Sequence, residues 1–146
     1  MTAKGTQAVK TLKRTLHIRT SRRTELKDVT KEIQKAVSDS GCADGVCYLY
    51  VPHTTAGVMI NEGYDPNVAR DIEVTLDRLI PHKGDYKHAE GNSDSHLKTA
   101  LVGTSETVWI ESGEIVLGQW QVIFFAEFDG PRSRELHLKI VPDPVA

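Results

Sequence analysis

The last third of the chain is patterned as strand after strand, and this constrains the fold more than any other feature. Thr107–Ile110 and Ile115–Leu117 flank the turn Glu111-Ser112-Gly113-Glu114 and read as a hairpin. Trp120–Phe128 is a long, mostly apolar run, and Asp129-Gly130-Pro131-Arg132 is a turn. Leu136, Leu138 and Ile140 then alternate in a closing strand.

Upstream, the period switches between two and 3.6. Leu12, Arg14, Leu16 and Ile18 alternate as a half-buried strand within residues 6–19. Thr24 offers an N-cap, and Leu26, Val29, Ile33, Ala36 and Val37 repeat at helical spacing up to the stop at Asp39-Ser40-Gly41. Val46–Val51 is β-rich and nearly all apolar, the pattern of a central strand, and Val58–Ile60 resumes an extended segment. Asp65-Pro66 opens a second helix whose apolar face is Val68, Ala69, Ile72, Leu76, Leu79 and Ile80, stopped by Pro81. From His82 to Asp94 there is no periodicity, and an irregular stretch of that length in a compact chain points to function. Ser93 or Asp94 can cap a short third helix closed by Gly103. Strands, helices and then a run of strands predict one α+β domain over residues 1–146, with residues 1–9 a loose N-terminal segment.

At 146 residues, 39% hydrophobic and 26% charged, the chain can bury a core without disulfides. Cys42 and Cys47 match no zinc spacing and read as one loop thiol and one buried thiol, both reduced. A net charge of −2 supplies no global field for nucleic acid or an anionic membrane. The local excess of Lys10, Lys13, Arg14, Arg19, Arg22 and Arg23 reads as a solvated edge strand and turn. No apolar run nears the roughly 18 residues of a membrane span and no signal-peptide core is present, so a cytoplasmic protein is expected.

Six histidines are present, and His53, His88 and His96 stand out because each lies in a polar segment beside small or hydroxylic residues. Three neutral imidazoles can hold a divalent metal with one position open. His17, His82 and His137 read as partly exposed structural histidines. Glu62 and Asp65 follow the His53 segment, and Asp85, Glu90 and Asp94 lie in the irregular stretch; any of these can act as a base or as a partner to an imidazole. Arg132 and Arg134, with Lys98 and the helix start near Ser95, can hold a phosphate or carboxylate. Trp109 and Trp120 read as core, although Gln119-Trp120-Gln121 is the pattern of a hydrogen-bonded or interface position.

Taken together, several segments are recognisable. His53-Thr54-Thr55-Ala56-Gly57, Ile60-Asn61-Glu62, Asp65-Pro66, Tyr86-Lys87-His88, Asn92, Ser95-His96-Leu97-Lys98, Gly103-Thr104-Ser105, Gly118-Gln119-Trp120-Gln121 and Asp129-Gly130-Pro131-Arg132 occur in the order of the YjbQ-like family. The chain resembles that family from about residue 10 to residue 141, with Gln119 where the family pattern has threonine. The resemblance implies an α+β fold of antiparallel, β-sandwich-like sheets, assembling as a homotrimer. It further implies a metal-occupied pocket near subunit contacts, with His53, His88 and His96 as ligands. Asn61, Glu62 and Asp65 would then be catalytic, and Lys98, Arg132 and Gln121 would bind substrate phosphate.

Members of the family are labelled secondary thiamine-phosphate synthase. The activity expected by resemblance is therefore the joining of hydroxymethylpyrimidine pyrophosphate to thiazole phosphate with release of pyrophosphate. Three histidines favour zinc or a similar transition metal, whereas magnesium would enter with a pyrophosphate. Two rival readings are a metal-assisted hydrolase of a small phosphorylated metabolite and a trimeric protein that binds metal or anion without turnover.

Overall fold

The computed structural model describes residues 10–145. Eight strands and three helices follow in the order β1 (Leu12–Arg19), β2 (Glu25–Asp28), α1 (Thr30–Ser40), β3 (Gly45–Tyr50), β4 (Ala56–Glu62), α2 (Pro66–Leu79), α3 (Ser93–Val102), β5 (Ser105–Glu111), β6 (Glu114–Ile115), β7 (Gln121–Glu127) and β8 (Ser133–Pro142). They make two antiparallel sheets, one ordered β1-β8-β3-β5-β6 and the other β2-β7-β4. The Val46–Val51 run is central as expected: β3 lies between β8 and β5 and shares a register with both. The basic N-terminal strand takes the sheet edge. The expected loose segment at residues 1–9 lies outside the described residues.

Alternation explains the packing. Cys47 and Leu49 of β3, Val108 and Ile110 of β5, and Leu136, Leu138 and Ile140 of β8 point inward. They meet Val58 of β4 and Ile123 and Phe125 of β7, and Ile33 and Val37 of α1 close the same core. The opposite face of the smaller sheet carries a second cluster in which Ala126 and Phe128 pack with Leu76, Ile72 and Val102. The small sheet is therefore buried on both faces, which is why Val122–Phe128 is nearly continuously apolar.

Four expectations change. Leu26 lies in β2, paired with Ala126 of β7, and the helix begins at Thr30. The helical spacing there coincided with a short strand, and Asp28, not Thr24, holds the start by accepting from the Thr30 amide at 3.0 Å and from its hydroxyl at 2.6 Å. Cys42 is buried along with Cys47, and burial pushes the Cys47 thiol up to about 12. Leu79 faces solvent at 67% exposure, whereas Leu76 earlier in the same last turn is buried. Trp109 and Trp120 are also exposed, at 64% and 48%. Asp65-Pro66 behaves as expected, with the Asp65 carboxylate accepting from the Asn67 amide at 2.9 Å. Among the described residues no helix is long and apolar enough to cross a membrane.

Candidate functional site

Strand β4 separates the expected site residues into two groups. Its register with β7 pairs Ala56 with Glu127 at one end and Glu62 with Gln121 at the other. Six strand steps at about 3.4 Å each place these ends about 20 Å apart. His53, Arg132, His88, His96 and Lys98 belong to the first end, and Asn61, Glu62, Asp65 and Gln121 to the second.

The first end is organised by two buried charge networks. The Arg134 guanidinium donates through Nε to both oxygens of Glu127, at 2.9 and 3.1 Å, and through Nη2 to the Thr55 hydroxyl at 2.8 Å. Thr20 adds a hydroxyl to Glu127 at 2.7 Å. His53 sits beside this pair and accepts the Glu135 amide at Nε2, at 2.9 Å. Burial lowers the His53 pKa below its ordinary value, and the nearby Arg134 charge lowers it further against the pull of Glu135 and Glu127.

The second network lies under α3. Asp94 receives both Nη groups of Arg23 at 3.0 Å, and Arg23 also reaches the Ser95 hydroxyl. Burial pushes the Asp94 carboxyl up, but the hydrogen bonds and charge of Arg23, helped by Lys98, hold it below the usual value. Lys98 is fully buried, bonded to Asp77 and 3.5 Å from Asp94. An anion reaching Lys98 would have to displace Asp77. The α3 face turned inward is thus polar, while Leu97 and Leu101 point outward at 47% and 63% exposure.

On the outer side of this end, His88 and His96 meet edge to face with ring centroids 5.2 Å apart, and Glu90 lies 3.6 Å from His88 Nε2. Asn92 donates to Asp129 at 2.9 Å, but its Oδ1 and the Ser93 hydroxyl are buried without a partner. Arg132 is half exposed, braced by the Asp129 carbonyl at 2.7 Å and carboxylate at 3.0 Å. The α3 start is thus Asn92, with Ser93 and Asp94 inside the first turn. His53 does not join the His88–His96 pair. Among the described residues, no group of three or more His, Cys, Asp or Glu is arranged to hold a metal ion.

At the second end, Asn61 Oδ1 accepts the Glu62 amide at 2.7 Å, and Gln121 Oε1 accepts the Gly118 amide at 2.8 Å. Both amide oxygens are therefore spent on backbone amides, Asn61 at the end of β4 and Gln121 closing the turn before β7. Glu62, Tyr64, Asp65, Pro66 and Trp120 line an open depression there.

These segments also fix the kinship. The model for the UPF0047 protein YjbQ-like family matches residues 14–143. The chain belongs to this family. It is 53% identical over 126 residues to the UPF0047 protein MJ1081 of Methanocaldococcus jannaschii, covering 86% of this chain and 91% of that one. It is 42% identical to YugU of Bacillus subtilis, covering 88% and 98%. A solved YjbQ/UPF0047 structure from Clostridium acetobutylicum superposes with a TM-score of 0.85 at 49% identity, covering 87% of this chain and 98% of that one. A YbjQ-like protein of unknown function from Sulfolobus solfataricus superposes at 0.87 with 30% identity, covering 92% and 99%. The fold of antiparallel sheets with three helices is common to them.

The expected activity is corrected by the same comparisons. These relatives carry the family designation and no reaction, and the Sulfolobus protein is described as of unknown function. Nothing in them supports a secondary thiamine-phosphate synthase or another metal-dependent enzyme.

Two features escaped the sequence reading. Glu127 had a signal that went unused, a lone carboxylate inside the apolar run Val122–Phe128. Tyr64 had none, since nothing in its neighbours announces that Trp120 will be brought against it.

Proposed function

We propose that the α3 end of the molecule binds a divalent metal ion together with a small phosphorylated metabolite, without turnover, in a homotrimer whose neighbouring copy completes the ligand shell. The observation that carries this reading is the pair formed by the exposed His88 and the half-buried His96. Two imidazoles supply half of the tetrahedral shell that zinc prefers, and Glu90 stands beside them. The buried Asn92 Oδ1 and Ser93 hydroxyl lack partners next to the first amides of α3, a position that favours an anion, and Arg132 offers its guanidinium nearby. The outward Leu97 and Leu101 flank His96 on the same helix, so a second copy covering them would meet the histidine pair and could contribute the missing ligands.

Elemental analysis and equilibrium dialysis with Zn²⁺ and Co²⁺ test this on the untagged protein and on a His88→Ala/His96→Ala double variant, with the mass in solution measured by light scattering. The expected result is a trimer holding about one ion per chain, lost in the variant, with inorganic phosphate binding more tightly to the loaded form. No retained ion in the parent, or equal retention in the variant, would overturn the reading.

A further inference from the structure

We infer that the depression at the other end of β4, formed by Glu62, Tyr64, Asp65, Pro66 and Trp120, is a binding site for an organic ammonium ion, of the alkylated or quaternary kind. This goes beyond the metal and phosphate reading and does not depend on it, since the two sites are separated by the length of a strand.

The first observation is aromatic. Tyr64 and Trp120 meet edge to face with centroids 4.9 Å apart and planes at 65°, yet neither belongs to a core cluster. They are 77% and 48% exposed. Two large rings held in contact at the surface offer their electron-rich faces to a ligand, and an ammonium ion is attracted to such faces within about 6 Å.

The second observation is charge. The lining contains the two carboxylates of Glu62 and Asp65 and no lysine or arginine. Asp65 spends Oδ1 on the Asn67 amide, answering the positive end of α2. Glu62 has no such partner, and it forms no ion pair among the described residues. A neutral aromatic ligand would gain nothing from this charge and an anion would be repelled. A small inorganic cation would gain nothing from the rings. An alkylated ammonium uses both.

The third observation is that the site is built, not accidental. The Gly63 amide donates to the Trp120 carbonyl at 3.0 Å, which fixes the two ring-bearing segments relative to each other. The Gly118 amide on Gln121 Oε1 and the Gln121 amide on the Gly118 carbonyl close the turn that presents Trp120. The ring pair is thus preorganised and loses little freedom on binding.

The test uses Trp120 fluorescence in a Trp109→Phe background, titrated with choline, tetramethylammonium and 3,3-dimethylbutanol, the uncharged carbon analogue of choline. A dissociation constant on the order of 1 mM is expected for the two cations, with the uncharged analogue at least about fivefold weaker. Glu62→Gln and Tyr64→Ala should each weaken choline about fivefold or more while leaving thermal unfolding unchanged, because these side chains lie outside both cores. Metal retention at the His88–His96 end should be unaffected, which separates failure of one site from failure of the other. Equal affinity for choline and its uncharged analogue overturns the proposal. So does the absence of a saturable response, including the case where a cationic side chain of a neighbouring copy fills the depression.

Discussion

The two ends of the small sheet handle charge in opposite ways. At the Glu127 end, carboxylates are taken out of water and each is matched to a guanidinium, the buried Arg134 with Glu127 and the partly exposed Arg23 with Asp94. At the Glu62 end no carboxylate meets a cationic side chain among the described residues: Asp65 only caps α2, and the Asn61 and Gln121 amide oxygens take backbone amides. A buried pair holds position at a cost in desolvation, whereas an exposed carboxylate keeps its charge available for something else. The difference separates the part of the polar inventory that shapes the molecule from the part open to a ligand.

Breaking the buried side of the comparison should cost most. Glu127→Ala strands the Arg134 guanidinium without its counter-ion and is expected to lower stability by about 3–5 kcal/mol, read by urea unfolding. A Glu127→Leu/Arg134→Met double variant should recover much of that loss, and failure to recover would show that the Thr20 and Thr55 bonds matter more than the charges. Lys98→Met comes next, at about 1 kcal/mol, because Asp94 keeps Arg23 and the exposed Asp77 carboxylate regains water when its partner is lost.

Acid should reach the same end through His53. Its folded pKa lies below the ordinary 6.5, so the unfolded chain binds the proton first. The stability tied to a neutral His53 is complete above about pH 6.5 and is lost as pH falls through the lowered folded value, since protonating Nε2 removes the acceptor of the Glu135 amide. His53→Gln, which keeps an acceptor without a titration, should flatten this slope in unfolding midpoints measured from pH 7 down to 5. An unchanged slope would assign it to another group. The smallest effect belongs to the exposed Lys35–Asp39 pair on α1, where Lys35→Ala should change stability by no more than about 0.5 kcal/mol.

The legibility of the molecule followed the same division. The alternating β8, the continuous apolar run of β3 and the capped start of α2 were readable because residue type alone decides them. β2 was hidden because four residues cannot display a period that helix spacing does not also fit. The site was harder still. His53, His88 and His96 were singled out together from their polar surroundings, and of the three His88 and His96 meet. The grouping of His53 with them, and of Glu62 with all three, required knowing that β4 runs the length of the small sheet, which is a property of the register with β7. Buried polar groups on α3 inverted the usual rule as well: its hydropathy pattern gives no hint that Lys98 is inside and Leu101 outside.

Strand β4 is an edge strand, and α3 lies against it so closely that a side-chain carbon on Gly57 would sit 2.3 Å from the Gly103 carbonyl. That carbonyl accepts the Val58 amide, at 3.2 Å. The end of a helix thereby seals the open side of a sheet. If α3 lifts, the chain exposes an unpaired amide row over the apolar run Val58-Met59-Ile60, a template on which other chains can add strands. Protection against fibre growth therefore rests on Gly57 being small enough to let helix and strand touch, and Gly57→Val should reveal itself as aggregation before it reveals itself as unfolding.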